Sequence, residues 1–321
     1  MKILYFGTYD REHPRNVNAI AALRDAGVEV IERHRQLGRG GLLGTLDVIL
    51  AETRLSTPGR KGADALVVGY PGHFDVPRAR RLAGRRPLVF DAVLSLEDEL
   101  VSVRQRFRPQ SVAANVLRVT DARALRLPDL VVCGTEAEAA YLRSLGAERT
   151  AVVFLGADED VFAAGWTPTR PFSALHETDG STDIVTAAAE LVPDVPVRCI
   201  GRRELEGDDQ GLAFARAGIV LGSFAESRAI APAVFGALAT GAPVITADTD
   251  AARELLRDGE SALLVPPESP AAVAAAITRL AEDEELRSSI AAGGRSVYAE
   301  RAARDVRGRQ WRGLIEGLLS G

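Results

Sequence analysis

The chain has 321 residues, 46% of them hydrophobic, and a formal net charge of −5. That length suits two domains, each able to bury its own core, and the composition excludes a disordered or fibrous chain. The acidic balance carries no basic footprint for nucleic acid, although almost every cation is an arginine, whose planar fork suits phosphate.

MKILYFG reads as a first strand at 2–7, and the segment is too short in its apolar part for a signal peptide. Further buried strands are expected at 28–33, 65–71, 87–92, 130–135 and 151–156, separated by helical patterns such as NAIAALRDAG. Unalternated Val/Ile/Leu runs indicate strands covered on both faces, hence a parallel sheet. The second half repeats the scheme with strands at 171–175, 195–201, 218–224, 242–248 and 261–266, then three helical segments from about 270 to 319. Cys133 and Cys199 lie in apolar strand-like runs and read as buried core thiols of a reducing compartment. The longest apolar runs fall far below the ~18 residues of a membrane helix, so a cytoplasmic protein without a transmembrane segment is expected. FLGADEDVFAAGWTPTRP carries the Gly, Pro and acidic residues of a hinge. The domains are therefore placed at 1–157 and 158–305, with 306–321 as a last helix returning to the first domain. Strand–helix alternation makes both domains Rossmann-like, doubly wound α/β units, with ligand expected in a cleft at the carboxyl ends of the strands.

The run 218–287 contains GAPVI, Arg253-Glu254-Leu255-Leu256, Asp258-Gly259 and Leu264-Val265-Pro266-Pro267. It resembles glycosyltransferase family 4, as do FGTYDREHPRN and FLGADEDVF, which look like a bacterial branch. The resemblance implies the GT-B fold and a metal-independent, retaining transfer of sugar from a nucleoside-diphosphate sugar to an acceptor held by the first domain, with no cofactor. Its Glu-x7-Glu motif is degenerate here. Counting back from Gly241, the two glutamates fall at Arg228 and Gly236, and the second would hold the donor ribose. The segment 202–217 is short, and SALHETDGST lacks the usual glycine-rich entry and lysine. The rival reading is thus a degenerate GT-B protein that binds a ligand or a protein partner without transferring sugar. Oligomeric state stays open.

Asp91, directly after PLVF, is the candidate that orients or deprotonates an acceptor hydroxyl, and His73 in GYPGHFD is a second catalytic candidate. Gly7, Arg15 and Asn16 in the first strand–helix turn are candidates for the donor, Arg15 and Asn16 projecting at the cleft, where donor phosphate or the acceptor is in reach. Arg202 and Arg203 follow a strand through Gly201, at the donor side, and are read either as phosphate ligands replacing the missing lysine or as a solvated pair. Glu226, Arg228, Thr246 and Glu254 complete the donor set, with Glu254 matching a family glutamate or acting as an acid of a first helical turn. Arg104 and Arg106 are candidates for the acceptor side. No Asp-x-Asp cluster suggests a metal site.

Overall fold

The structure is a computed structural model that describes residues 1–34, 62–93, 95–97, 100, 101, 107–201, 204 and 208–321. Two compact units divide the chain: Met1–Val153 together with Arg307–Gly321, and Phe154–Val306.

The first unit holds a six-stranded parallel sheet. Its strands are β1 (Lys2–Gly7), β2 (Glu29–His34), β3 (Ala65–Val68), β4 (Leu88–Asp91), β5 (Leu130–Cys133) and β6 (Thr150–Val152), in the order β2-β1-β3-β4-β5-β6. Helices α1 (Pro14–Asp25), α2 (Val76–Ala83), α3 (Val112–Arg126) and α4 (Glu136–Ser144) connect them. Because side chains alternate along a strand, each apolar run feeds two cores. Ile3, Tyr5, Val67, Val89 and Val132 face α1, where Leu23 lies, and meet Trp311 and Ile315. Leu4, Phe6, Leu66, Val68, Phe90 and Cys133 face the other way, onto Val76, Leu125 and Leu142. The absence of polar alternation in these strands is the direct result of that double cover.

The second unit has a five-stranded parallel sheet, β11-β10-β9-β7-β8, built from β7 (Ala174–Glu177), β8 (Val197–Ile200), β9 (Ile219–Leu221), β10 (Val244–Ala247) and β11 (Leu263–Val265). Its helices are α5 (Thr182–Glu190), α6 (Asp208–Arg216), α7 (Pro232–Thr240), α8 (Asp250–Arg253), α9 (Pro270–Glu282) and α10 (Glu284–Arg301). Val185, Val273, Ile277 and Leu280 cover one sheet face. Helix α7 lies against β9 and β10 on the sheet. A last helix, α11 (Arg304–Ser320), begins in the second unit and belongs to the first from Arg307 onward.

Two expectations change. β7 starts at Ala174 rather than 171 and runs on through His176 and Glu177, which pair with Cys199 and Ile200 of β8. Polar residues enter the strand because His176 is satisfied where it sits: its Nδ1 lies 3.3 Å from the Leu221 carbonyl and its Nε2 3.2 Å from Thr182 Oγ1. Cys199 is exposed, unlike buried Cys133, on β8, which is last in the sheet order among the described residues.

Candidate functional site

In the first unit, β1 ends at Gly7 with φ of 132°, and a Cβ there would lie 2.7 Å from Asp75 Oδ2. The same oxygen accepts the Thr8 N–H at 2.8 Å and the Thr8 hydroxyl at 2.9 Å, so glycine lets the turn close on Asp75. Helix α1 then starts at Pro14, capped by His13, whose Nδ1 accepts the Arg15 N–H at 3.2 Å.

Arg15 turns inward. Its Nε and one terminal nitrogen each lie 2.7 Å from Asp91 Oδ1, and its other terminal nitrogen donates to the Val153 carbonyl at 2.7 Å. Both side chains are buried, and Asp91 Oδ2 has no hydrogen-bond partner. A second carboxyl, Glu138 in the first turn of α4, is also buried and accepts the Gly134 N–H at 2.6 Å. Burial raises the Glu138 carboxyl to about 7, against the pull of that N–H and of Arg15. Burial likewise raises Asp91, opposed by the charge of Arg15 and by the hydrogen bond from its Nε. Arg15 itself is held above its ordinary value, because Asp91 and then Glu138 outweigh its own desolvation. One guanidinium therefore binds the Asp91 carboxyl at the end of β4 and acts through space on Glu138 in the first turn of α4.

Arg15 and Asn16 thus do not project from the turn as expected. Asn16 is fully buried and joins Tyr5, Asp10 and Tyr70 through four hydrogen bonds. An amide so completely satisfied fixes the β1–α1 turn against the Tyr70 segment. His73 is also interior: its ring meets Phe90 edge-on at 4.9 Å, and its Nε2 lies 3.7 Å from Asp121, which caps the Leu96 and Glu97 N–H groups.

In the second unit the strand ends carry hydroxyls and an exposed loop. Ser181, at the start of α5, accepts the Phe224 N–H at 3.0 Å, donates to Asp179 at 2.7 Å and lies 3.5 Å from the Ser223 hydroxyl. Thr246 on β10 donates to the Ser223 carbonyl at 3.0 Å. Gly222 permits this approach, since a Cβ there would lie 2.7 Å from Thr246 Oγ1 and 2.8 Å from Val234. The loop then exposes Glu226 and Arg228 before α7, whose N-cap Ala231 provides no side-chain cap. Gly236 lies within α7, and its missing side chain is replaced by the ring of Phe162: a Cβ would fall 2.6 Å from that ring. Gly201 follows β8, and its carbonyl accepts the Glu204 N–H at 2.8 Å. Glu254 does not open a helix; it is the C-cap of α8, whose first turn is capped by Thr249. Arg104, Arg106, Arg202 and Arg203 lie outside the described residues. Among the described residues no group of three or more His, Cys, Asp or Glu side chains is arranged to hold a metal ion.

Sequence reading passes over Glu138, Ser181 and His176. Glu138 has a signal: Thr135 and Glu138 form the T-x-x-E pattern of a helix start, and Thr135 Oγ1 accepts the Glu138 N–H at 3.0 Å. The other two stand in a segment that reads as loop.

Residues 181–311 match the glycosyl transferase-like family model. Sucrose-phosphate synthase from Thermosynechococcus elongatus superposes with a TM-score of 0.73 at 16% identity, covering 99% of each chain. HepE from Anabaena, solved in complex with UDP-glucose, gives 0.70 at 18% identity, covering 99% of this chain and 100% of that one. These likenesses show the fold, which is GT-B as expected. By sequence, 122 residues are 34% identical to an exopolysaccharide phosphotransferase of Streptomyces coelicolor, covering 36% of this chain and 13% of that protein. A further 62 residues are 45% identical to the phosphatidyl-myo-inositol mannosyltransferase of Mycobacterium leprae, covering 19% and 17%. The aligned stretches span less than a fifth of either relative. Family match and GT-B neighbours together support a glycosyltransferase.

Proposed function

We propose that the chain is a glycosyltransferase that moves a sugar from a nucleoside-diphosphate sugar to an acceptor, with the donor on the second unit and the acceptor on the first. The observation that carries this is the family match over 181–311, which falls on the unit where Ser181, Ser223, Thr246 and the Arg228 loop meet at the strand ends. HepE, solved in complex with UDP-glucose, supports a nucleotide-sugar as the donor. The departing diphosphate develops negative charge, and two features of the second unit answer it without a metal. One is the exposed Arg228; the other is the N-terminus of α7, which lacks a side-chain cap and carries the positive end of the helix dipole. Configuration is retained in this reading.

Gly236 cannot hold the ribose, because it has no side chain and the Phe162 ring fills that position; the ribose falls to other groups, with Glu226 and Glu254 the carboxylates proposed for it. Asp91 and His73 are buried, so in this proposal they act by positioning: Asp91 fixes Arg15, and His73 braces the end of β4 through Phe90.

Calorimetric titration with UDP, GDP, dTDP, ADP and their common sugar conjugates tests the reading, followed by product analysis. Micromolar affinity for one nucleotide is expected. Arg228→Ala should weaken it at least tenfold, about 1.4 kcal/mol, at unchanged melting temperature. Absence of binding to every nucleotide would remove the transferase reading and leave the non-catalytic one.

A further inference from the structure

Helix α3 carries an outer face that the described residues of its own unit leave exposed. Its inner face is conventional: Ala114, Leu117, Ala124 and Leu125 are buried, and Asp121 points inward to cap the 96–97 N–H groups. The outer line runs at i, i+4, i+7, i+11 and i+14 and reads Val112, Val116, Val119, Arg123, Arg126. The three valines are 81%, 56% and 69% exposed, three of the largest such values for an apolar side chain in the described residues. Arg118 stands beside them, its side chain 55% exposed and 3.4 Å from the Glu97 carboxylate, an exposed pair that an anionic headgroup can replace. Asp121 is the one acid of α3, and it is buried, so the outer face is apolar at its start and cationic along its second half.

Three kinds of surface can cover such a face. A second copy of the chain would set the arginines against each other across a twofold axis, where like charges oppose association. An acidic protein would have to close a patch of about 800 Å² per partner, usually around Trp, Tyr or Arg anchors in a desolvated centre. Three valines in single file are too narrow for that. An anionic lipid surface needs only a narrow apolar stripe entering the headgroup boundary, flanked by arginines that meet the negative surface potential. The charge pattern is also what a protein of net charge −5 needs to approach such a surface at all, since the attraction must be concentrated on one face.

We infer that the outer face of α3 docks the protein on an anionic membrane surface, with Val112, Val116 and Val119 entering the interface and Arg118 and Arg123 holding the headgroups. The parallel-sheet topology places the valine end of α3 at the carboxyl edge of the first unit's sheet, because a helix following a strand starts at that edge and runs back. The docked face therefore begins on the same edge as Asp91. Membrane docking through α3 is independent of the reaction proposed above.

The test is co-sedimentation of the full chain with phosphatidylcholine vesicles, with and without phosphatidylglycerol. Binding is expected to the anionic vesicles only and to weaken as salt rises. The R118Q/R123Q double variant should lower partitioning about 25-fold, from about one fivefold factor per arginine. A V112S/V116S/V119S variant should also lose binding, and both should keep the wild-type melting temperature because these side chains are exposed. Equal binding to neutral vesicles, no binding, or binding indifferent to both variants would overturn the inference. A dimer in light scattering that V116R dissolves would assign the face to a second copy. Retention on polyglutamate that needs the valines, without vesicle binding, would assign it to an acidic protein.

Discussion

Glu138 should make the first unit less stable as pH rises through neutrality. Its carboxyl is buried and titrates near 7 in the folded chain, against an ordinary value of 4.5. Between those values the folded state binds the proton that the unfolded state has released. Stability then falls with rising pH, and the full penalty is present above the folded value. A tenfold difference in proton affinity between the two states is worth about 1.36 kcal/mol, so the loss between pH 5 and pH 8 comes to about 2.5 kcal/mol. In Glu138→Gln the carboxamide oxygen can still accept the Gly134 N–H, and no proton is exchanged, so this slope should vanish. The assay is urea unfolding at both pH values, read from Trp311, the tryptophan buried in the first unit's core. Trp166 belongs to the second unit and is best replaced by Phe in both proteins, so that a single unit is followed. The wild type should lose about 2.5 kcal/mol more than Glu138→Gln on going from pH 5 to pH 8. Parallel pH profiles would refute the buried, raised carboxyl.

Arg15→Met leaves Asp91 buried without its cation and should cost about 3–5 kcal/mol, whereas Arg15→Met with Asp91→Leu should recover part of that loss; urea midpoints at Trp311 compare them. Gly308 of α11 faces the Ala22 carbonyl, and a Cβ would lie 2.4 Å from that oxygen. Gly308→Ala should therefore destabilise the first unit by about 1–3 kcal/mol despite better helix propensity, and a rise in melting temperature would count against this packing. With a thiol reagent at pH 8, Cys199 should react in the native protein. Cys133, buried and raised to about 12, should react only on unfolding; two fast thiols would contradict the fold of β5.

Much of the fold was legible because buried parallel strands leave a strong trace. Most of the eleven strands, β1, β3, β4, β5, β9 and β10 above all, are apolar runs buried along their length, while β2, β7 and β8 carry polar residues; GAPVI to VPP carries the resemblance that matches the GT-B architecture. Where tertiary structure decided, it did so by satisfying polar groups that local sequence treats as exposed. His176 belongs to a strand because Leu221 and Thr182 meet its ring, and Arg15 turns inward because Asp91 waits 76 residues later in the chain. Cys199 is exposed on a strand that is last in the sheet order among the described residues, a place no local pattern shows. Likewise, Gly236 reads as the loss of a family glutamate, and only the folded chain shows the Phe162 ring in its place. Periodicity and turn residues are local and survive in one dimension. The pairing of a buried charge, the edge of a sheet and the filling of a vacated position are contacts between distant residues, and they exist only once the chain has closed on itself.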